Sequence, residues 1–234
     1  MIPAHNEERL LPRGLAAAHT AIARSGATAE IIVVANRCTD ETECVAHAAG
    51  ATVIRNDSRN LAAIRNAGVA ASSGDVVVTI DADTVMHELA LNEVGLLVAT
   101  GRYVGGGCGF VAERMSLGIA ASLAVTRLGL AAVGVGGVMY WCLRVDFDAV
   151  GGFDESRPLA EDIDFARRLR RLGRRTDRRF RNLRYAPATV CCRKFDDFGD
   201  WHMFTIATQA RSIRAAMTGK DMRFADKFYY DYNS

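Results

Sequence analysis

Carboxylates carry the sharpest chemical signal in this 234-residue chain. The stretch TIDADT, Thr79 to Thr84, sets Asp81 and Asp83 two residues apart, directly after the apolar run DVVV. Side chains i and i+2 of an extended backbone share a face. The two carboxylates can therefore point into one space. Like charges that close repel unless a cation stands between or beyond them. A divalent ion such as Mg²⁺ or Mn²⁺ suits that place, because it takes oxygen ligands and shares them with phosphates. Taken alone, the six residues read more simply as a turn, where aspartate is common.

The opposite charge is concentrated elsewhere. From Arg167 to Arg184, ten of eighteen residues are arginine, although the whole chain carries a formal charge of only +2. Leu169 and Leu172 share the first part of that run, so a solvated basic helix face is the plain expectation. A phosphate-bearing acceptor or an anionic membrane surface is the functional one, at about 1 kcal/mol per basic residue near anionic lipid. The six cysteines show no CxxC spacing, which argues against zinc, and a reduced, cytoplasmic setting is expected. MIPAHNEERLLP lacks the charged and apolar regions of a secretory leader. No run reaches the ~20 apolar residues of a membrane span. Over Met115 to Ala131 we expect a buried or interfacial helix. GGGCGF, Gly105 to Phe110, lacks the GxGxxG spacing of a dinucleotide loop.

Strands and helices alternate in the half that holds the paired aspartates. HNEERLLPRGLAAAHTAIARSG spaces Leu11, Leu15, Ala18 and Ile22 on one helical face, with Gly26 as its C-cap. EIIVVAN, ATVIRN and DVVVTID read as strands. TDETECVAHAAG and NLAAIRNAGVAASSG read as helices, the first capped by Asp40 and ended by Gly50, the second with Leu61, Ile64 and Val69 inward. Such alternation implies a mostly parallel sheet with helices on both faces, and ligands beyond the carboxyl ends of its strands. Asp81 lies at one such end, which favours a site over a turn. Further on, VMYWCLRVDFDAVGGFDE predicts a strand, a short helix and a glycine turn. EDIDFARRLRRLG predicts a helix with Phe165, Leu169 and Leu172 on one stripe, capped by Gly173. FRNLRYAPATVCCRKF predicts one or two strands, and DWHMFTIATQARSIRAAMTG an amphipathic helix. With no linker or repeat, the chain reads as one domain, with segments over 1–84 and 85–200 and a tail over 201–234.

The order IPAHNEE, IIVVANRCTDET, AIRNAG, VVVTIDADT, GGFDE and AEDIDFARRLRR resembles the family 2 glycosyltransferases, over roughly Ile2 to Leu172. The resemblance implies a Rossmann-like α/β domain of the GT-A type, a nucleotide-sugar donor and Mg²⁺ or Mn²⁺. It puts Pro3, His5 and Glu7 in the loop after the first strand, against the nucleotide, with Glu7 accepting from ribose. Asn36 stands where relatives pair an aspartate with the base. A UDP-sugar is the favoured donor and a GDP-sugar the alternative, because asparagine both donates and accepts. Arg65 reaches the nucleotide region, and Asp81, Ala82 and Asp83 form the DxD segment. Asp81 holds ribose or a metal-bound water, and Asp83 ligates the metal directly, with His202 a weaker third ligand. Asp162, beside Glu161, matches the general base of an inverting displacement on a glycan, lipid-linked or small-molecule acceptor. Relatives carry several apolar residues ahead of the matching proline, so a very short first strand or an upstream start is expected. Two other classes remain open: a degenerate nucleotide-sugar binder without turnover, which donor hydrolysis would exclude, and a binder of anionic surfaces or nucleic acid through the arginine run. No nucleic-acid fold accompanies that run.

Overall fold

The computed structural model describes residues 1–133, 137–157 and 159–201. Strands β1 (Ile2–Ala4), β2 (Ile32–Ala35) and β3 (Thr52–Arg55) pair in parallel in that order. Helices α1 (Leu11–Ser25), α2 (Thr42–Ala48) and α3 (Leu61–Ala70) follow them in turn. The helical spacing read from the sequence holds: Leu11, Leu15 and Ala18 are buried, and Gly26 caps α1 in the left-handed region. In α3 the buried face is Ala62, Ile64, Arg65, Gly68 and Val69, so Leu61 sits at its margin. Gly68 is required there, because a Cβ would lie 2.7 Å from Val34 and closer still to Met1.

Strand β4 (Val76–Ile80) runs beside β1 through two bonds. The Met1 amine donates to Val78 O at 2.8 Å, and Met1 O accepts from Ile80 N at 3.2 Å. That alternation belongs to a parallel ladder, and its next bond would come from the nitrogen of residue 3. Residue 3 is proline and has no N–H to give. The ladder stops there, at the carboxyl end of β1. Pro3 is therefore a strand residue, paired with Val34, rather than a loop residue as expected.

The second half forms a mixed sheet in the order β4, β7 (Met139–Leu143), β6 (Tyr103–Ala112), β9 (Leu183–Val190), β5 (Thr84–Val85), with β8 (Arg179–Phe180) on β6. Strand β7 is antiparallel to β4 and β6, whereas β9 is parallel to β6. The glycine run GGGCGF is thus the middle of a strand. At Gly106 a side chain would collide with the backbone of Arg181, its Cβ only 1.7 Å from that carbonyl oxygen. Helices α4 (Ala90–Ala99), α5 (Leu117–Val133), α6 (Arg144–Ala149), α7 (Glu161–Arg175) and α8 (Arg193–Phe198) complete the described chain. Helix α5 falls within two residues of its expected bounds. No helix among the described residues is long and apolar enough to cross a membrane.

Helix α7 is anchored by aromatic packing. Phe165 stacks on Phe153 with ring centroids 4.4 Å apart, and both meet Phe147. The helix runs past Gly173, the expected cap, to Arg175, and Thr176 ends it by donating to Leu172 O and Gly173 O. Gly173 is instead buried, where its absent side chain lets the Arg178 carbonyl approach.

The arginine run divides. Arg168 bonds Asp164 and the carbonyls of Val150 and Gly152, and Arg178 grips buried Asp146 with both terminal nitrogens at 2.6 and 2.7 Å. Arg167, Arg171, Arg174 and Arg175 are exposed. The run is therefore part internal brace and part solvated face. Arg178→Met should destabilise the chain by about 3 kcal/mol, because it strands a buried carboxylate, whereas Arg174→Gln should change stability by less than about 0.5 kcal/mol. Urea denaturation of the two variants checks this, and equal midpoints would contradict the division.

Candidate active site

The candidate site lies in a crevice beyond Pro3, where the parallel strand order turns back, with β1 between β2 and β4. Ligands of open α/β sheets sit at such a point. Glu7 follows β1, Asp81 and Asp83 follow β4, and Arg65 reaches in from α3. The amino end of α7 faces them with Glu161 and Asp162. Two motifs cooperate in this placement. Asn66, next to Arg65, accepts from Phe153 N at 2.8 Å and donates to Phe153 O at 2.9 Å, so AIRNAG holds the GGFDE turn. Phe153 in turn sits under the Arg65 guanidinium, 5.5 Å from ring centre to carbon, a favourable cation–π arrangement.

Arg65 ties the two acidic pairs together. One terminal nitrogen donates to Glu161 and the other to Asp81 Oδ1 at 2.8 Å. Arg65 and Glu161 are buried. Burial works against the charge of Arg65, but Asp81 and Glu161 overcome it and hold the guanidinium above its usual range. Burial likewise lifts Glu161 and Asp162 above the ordinary carboxylate range, with Arg65 opposing. A carboxylate so raised is a better proton acceptor than a solvated one. Asp162 Oδ1 takes a bond from Ile163 N at 2.7 Å, which fixes the carboxylate at the helix start. Buried Tyr140 of β7 lies in the same field, its phenol pushed upward by burial and then by Asp162.

Asp83 lies at the other end of the crevice. Desolvation, then Asp81 and Glu7, push its carboxyl up to about 6, against Arg193 and Lys194. Glu7, expected at the ribose, is held by Arg193 of α8 in a two-point bridge of 2.9 and 3.0 Å. Arg193 Nη2 is 3.9 Å from Asp83 Oδ2. Sequence reasoning missed Arg193 and Lys194. Their only local signal is a basic pair two residues beyond a strand.

The remaining expected contacts line the far wall. Asn36 is buried, and its side-chain amide donates to the carbonyls of Asn56 and Ser58, the latter at 2.8 Å. Its donors thus close the loop after β3, and Oδ1 is left as the acceptor end, with Arg37 Nε at 3.5 Å. His5 Nδ1 lies 2.7 Å from Asn36 O, which sets the proton on Nδ1. Ala82 is buried beneath the DxD turn, its carbonyl oxygen 3.3 Å from where a Cβ on Gly14 would lie. Three of the four non-glycine residues with positive φ, namely Asn6, Arg37 and Ala160, flank this crevice. Strained backbone of this kind gathers at functional sites.

The donor set suits a hard divalent cation. Two carboxylates flank one turn, and Mg²⁺ is commonly bound by one or two carboxylates together with substrate phosphates and water. Among the described residues no three His, Cys, Asp or Glu side chains group as a complete cage. His202 lies outside the described residues, as does all of the expected tail beyond Trp201.

Residues 1–111 match the family model described as glycosyl transferase family 2. No curated protein matches the chain. Among solved structures the fold resembles S. aureus TarS at 14% identity and TM-score 0.62, over 84% of this chain and 60% of that one. It also resembles the mannosyltransferase PcManGT from Pyrobaculum calidifontis, solved with GDP-Man and Mn²⁺, at 18% identity and TM-score 0.59, over 80% and 55%. Glucosyl-3-phosphoglycerate synthase from Mycobacterium tuberculosis, solved with Mn²⁺, UDP and phosphoglyceric acid, matches at 23% and TM-score 0.55, over 89% and 75%. The chain thus spans about three-fifths of the TarS chain it matches. The GT-A fold expected from the motifs is borne out, and the family 2 match covers those motifs as far as VVVTIDADT.

Proposed function

We propose that this chain, with its family 2 glycosyl transferase pattern and GT-A fold, transfers a sugar from a nucleoside-diphosphate sugar to a hydroxyl acceptor. The observation that carries the reading is the joining of Asp81 to Glu161 through one buried arginine, at the point where the sheet opens. Donor-side and acceptor-side acids then share a rigid frame. Asp162 is the general base, and in-line attack by the acceptor oxygen inverts the anomeric centre. Glu161 holds Arg65, and Arg65 holds Asp81.

Asp81 and Asp83 would hold Mg²⁺ or Mn²⁺, whose charge offsets that of the departing diphosphate. Solved structures with this fold contain UDP, UDP-GlcNAc or GDP-Man, which supports a UDP-sugar first and a GDP-sugar second. The acceptor-oriented end of Asn36 fits a base that offers an imide N–H. A glycan, a lipid-linked sugar or a small hydroxylated molecule suits the acceptor side. The exposed arginines of α7 favour cytoplasmic work against an anionic membrane surface over nucleic acid.

Nucleoside diphosphate should bind weakly without a divalent cation, since Asp81, Asp83 and Glu7 repel it. With Mn²⁺, UDP or GDP at a hundred times its Kd should stabilise the fold by about 2.7 kcal/mol, which a melting scan reads as a shift of several degrees. EDTA should remove most of that shift. An equal shift in EDTA would eliminate the metal, and no shift with any nucleotide would eliminate the donor site. Sugar release from a bound donor separates an enzyme from a binder without turnover.

A further inference from the structure

The electrostatic balance of the crevice is uneven. Five carboxylates converge on it: Glu7, Asp81, Asp83, Glu161 and Asp162. Arg65 is the buried cation among them, and its two terminal nitrogens are committed to Asp81 and Glu161. A diphosphate entering at the Asp83 end brings at least two more negative charges, and one divalent ion offsets only two. Charges in a partly desolvated crevice interact strongly enough that such an excess would exclude the ligand.

Helix α8 supplies the missing charge at that end. Asp81, Asp83, Thr84, Arg193, Lys194 and Phe195 border a cavity of about 210 Å³. Arg193 is held by Glu7 across two bonds, with its guanidinium turned toward Asp83 at 3.9 Å. Asp83 and Asp81 are the charges that act most strongly on half-buried Lys194. Two cations and two aspartates therefore border one cavity, and a metal-borne diphosphate entering it would meet all four.

We propose that Arg193 and Lys194 are the donor-phosphate contacts of this site, a cationic wall in the cavity that Asp81 and Asp83 also line. The inference rests on the nucleotide-sugar reading above and adds residues that neither the motifs nor the family match reaches, since that match ends at residue 111. A guanidinium presents paired N–H groups to phosphate oxygens, and an ammonium adds a point charge. Were α8 only a clasp on the first loop, the Arg193 bridge to Glu7 would matter and Lys194 would not.

The experiment uses the full chain with Mn²⁺. UDP and GDP are titrated calorimetrically, and uridine and guanosine are followed by saturation-transfer NMR. Lys194→Met should weaken the nucleoside diphosphate at least tenfold and leave the nucleoside unchanged. Arg193→Gln, whose amide can still donate to Glu7, should do the same. Both losses should shrink at high salt, where screening already weakens the contact. Parent affinity in both variants overturns the cationic wall while leaving the donor site intact. An equal loss for nucleoside and diphosphate also overturns it, because the damage would then lie in the fold. A parent chain that binds neither UDP nor GDP removes the donor reading itself.

Discussion

Asp162→Asn should bind nucleotide and metal as the parent does and lose transfer by about 10²–10⁴-fold, the usual worth of a positioned base. The amide keeps the shape of the carboxylate, and its oxygen can still accept from Ile163 N, now at 2.7 Å. It cannot take the acceptor's proton. The pH profile gives a second readout. Burial raises Asp162 above the ordinary carboxylate range, and only the ionised form is a base. Parent activity should therefore fall as pH drops through that raised value, earlier than for a solvated aspartate. The variant should lack this limb. Initial rates of nucleoside-diphosphate release, measured with acceptor across pH, check both statements. Near-parent turnover in the variant would end the assignment.

Arg65→Met should cost about 3–5 kcal/mol, the range for breaking a buried ion pair by removing one partner. It leaves Glu161 and Asp81 facing each other without the cation that both now touch. For a chain of this length that is a fall in Tm of roughly 10 °C. The sign of its pH dependence follows from the acids. Without Arg65 the folded-state pKa of Glu161 rises further above its unfolded value. The unfolded chain then loses its proton first as pH rises, so the penalty is small at acid pH and grows through neutrality. Melting the parent and the variant at pH 5 and pH 7.5 should show the gap widening at the higher value. Adding Glu161→Gln to the variant should recover part of the loss at pH 7.5. A constant gap would mean that Arg65 contributes through its packing on Phe153 rather than its charge.

The parallel half was legible because its signals are local. Helical spacing in α1 and α3 and β-branched runs in β2 and β4 follow from short-range geometry, and the paired aspartates fall at a strand end. What the sequence hid depends on distant neighbours. Gly105 to Gly107 have no side chains to alternate, so β6 shows no strand period, although Arg181 passes close over it. Gly173 resembles a cap until the approach of Arg178 gives it another use. Pro3 was expected in the loop after the first strand, and only its place between β2 and β4 shows that its missing N–H ends a ladder. The acidic residues of the site were visible as motifs. Arg193 and Lys194 were not, because their partners lie far away in the chain and a basic pair alone does not mark a site.

The bridge from Glu7 to Arg193 spans 186 positions, and β5, next to the aspartates, pairs with the distant β9. Synthesis proceeds from the amino end at about 5–20 residues per second. The loop that follows β1 therefore leaves the ribosome many seconds before the residue that fixes it. Over that interval the nascent chain has its parallel strands and its acids but neither the clamp on Glu7 nor the second edge of Thr84. The clasp on Glu7 and the outer pairing of Thr84 are therefore late steps in the folding of these strands.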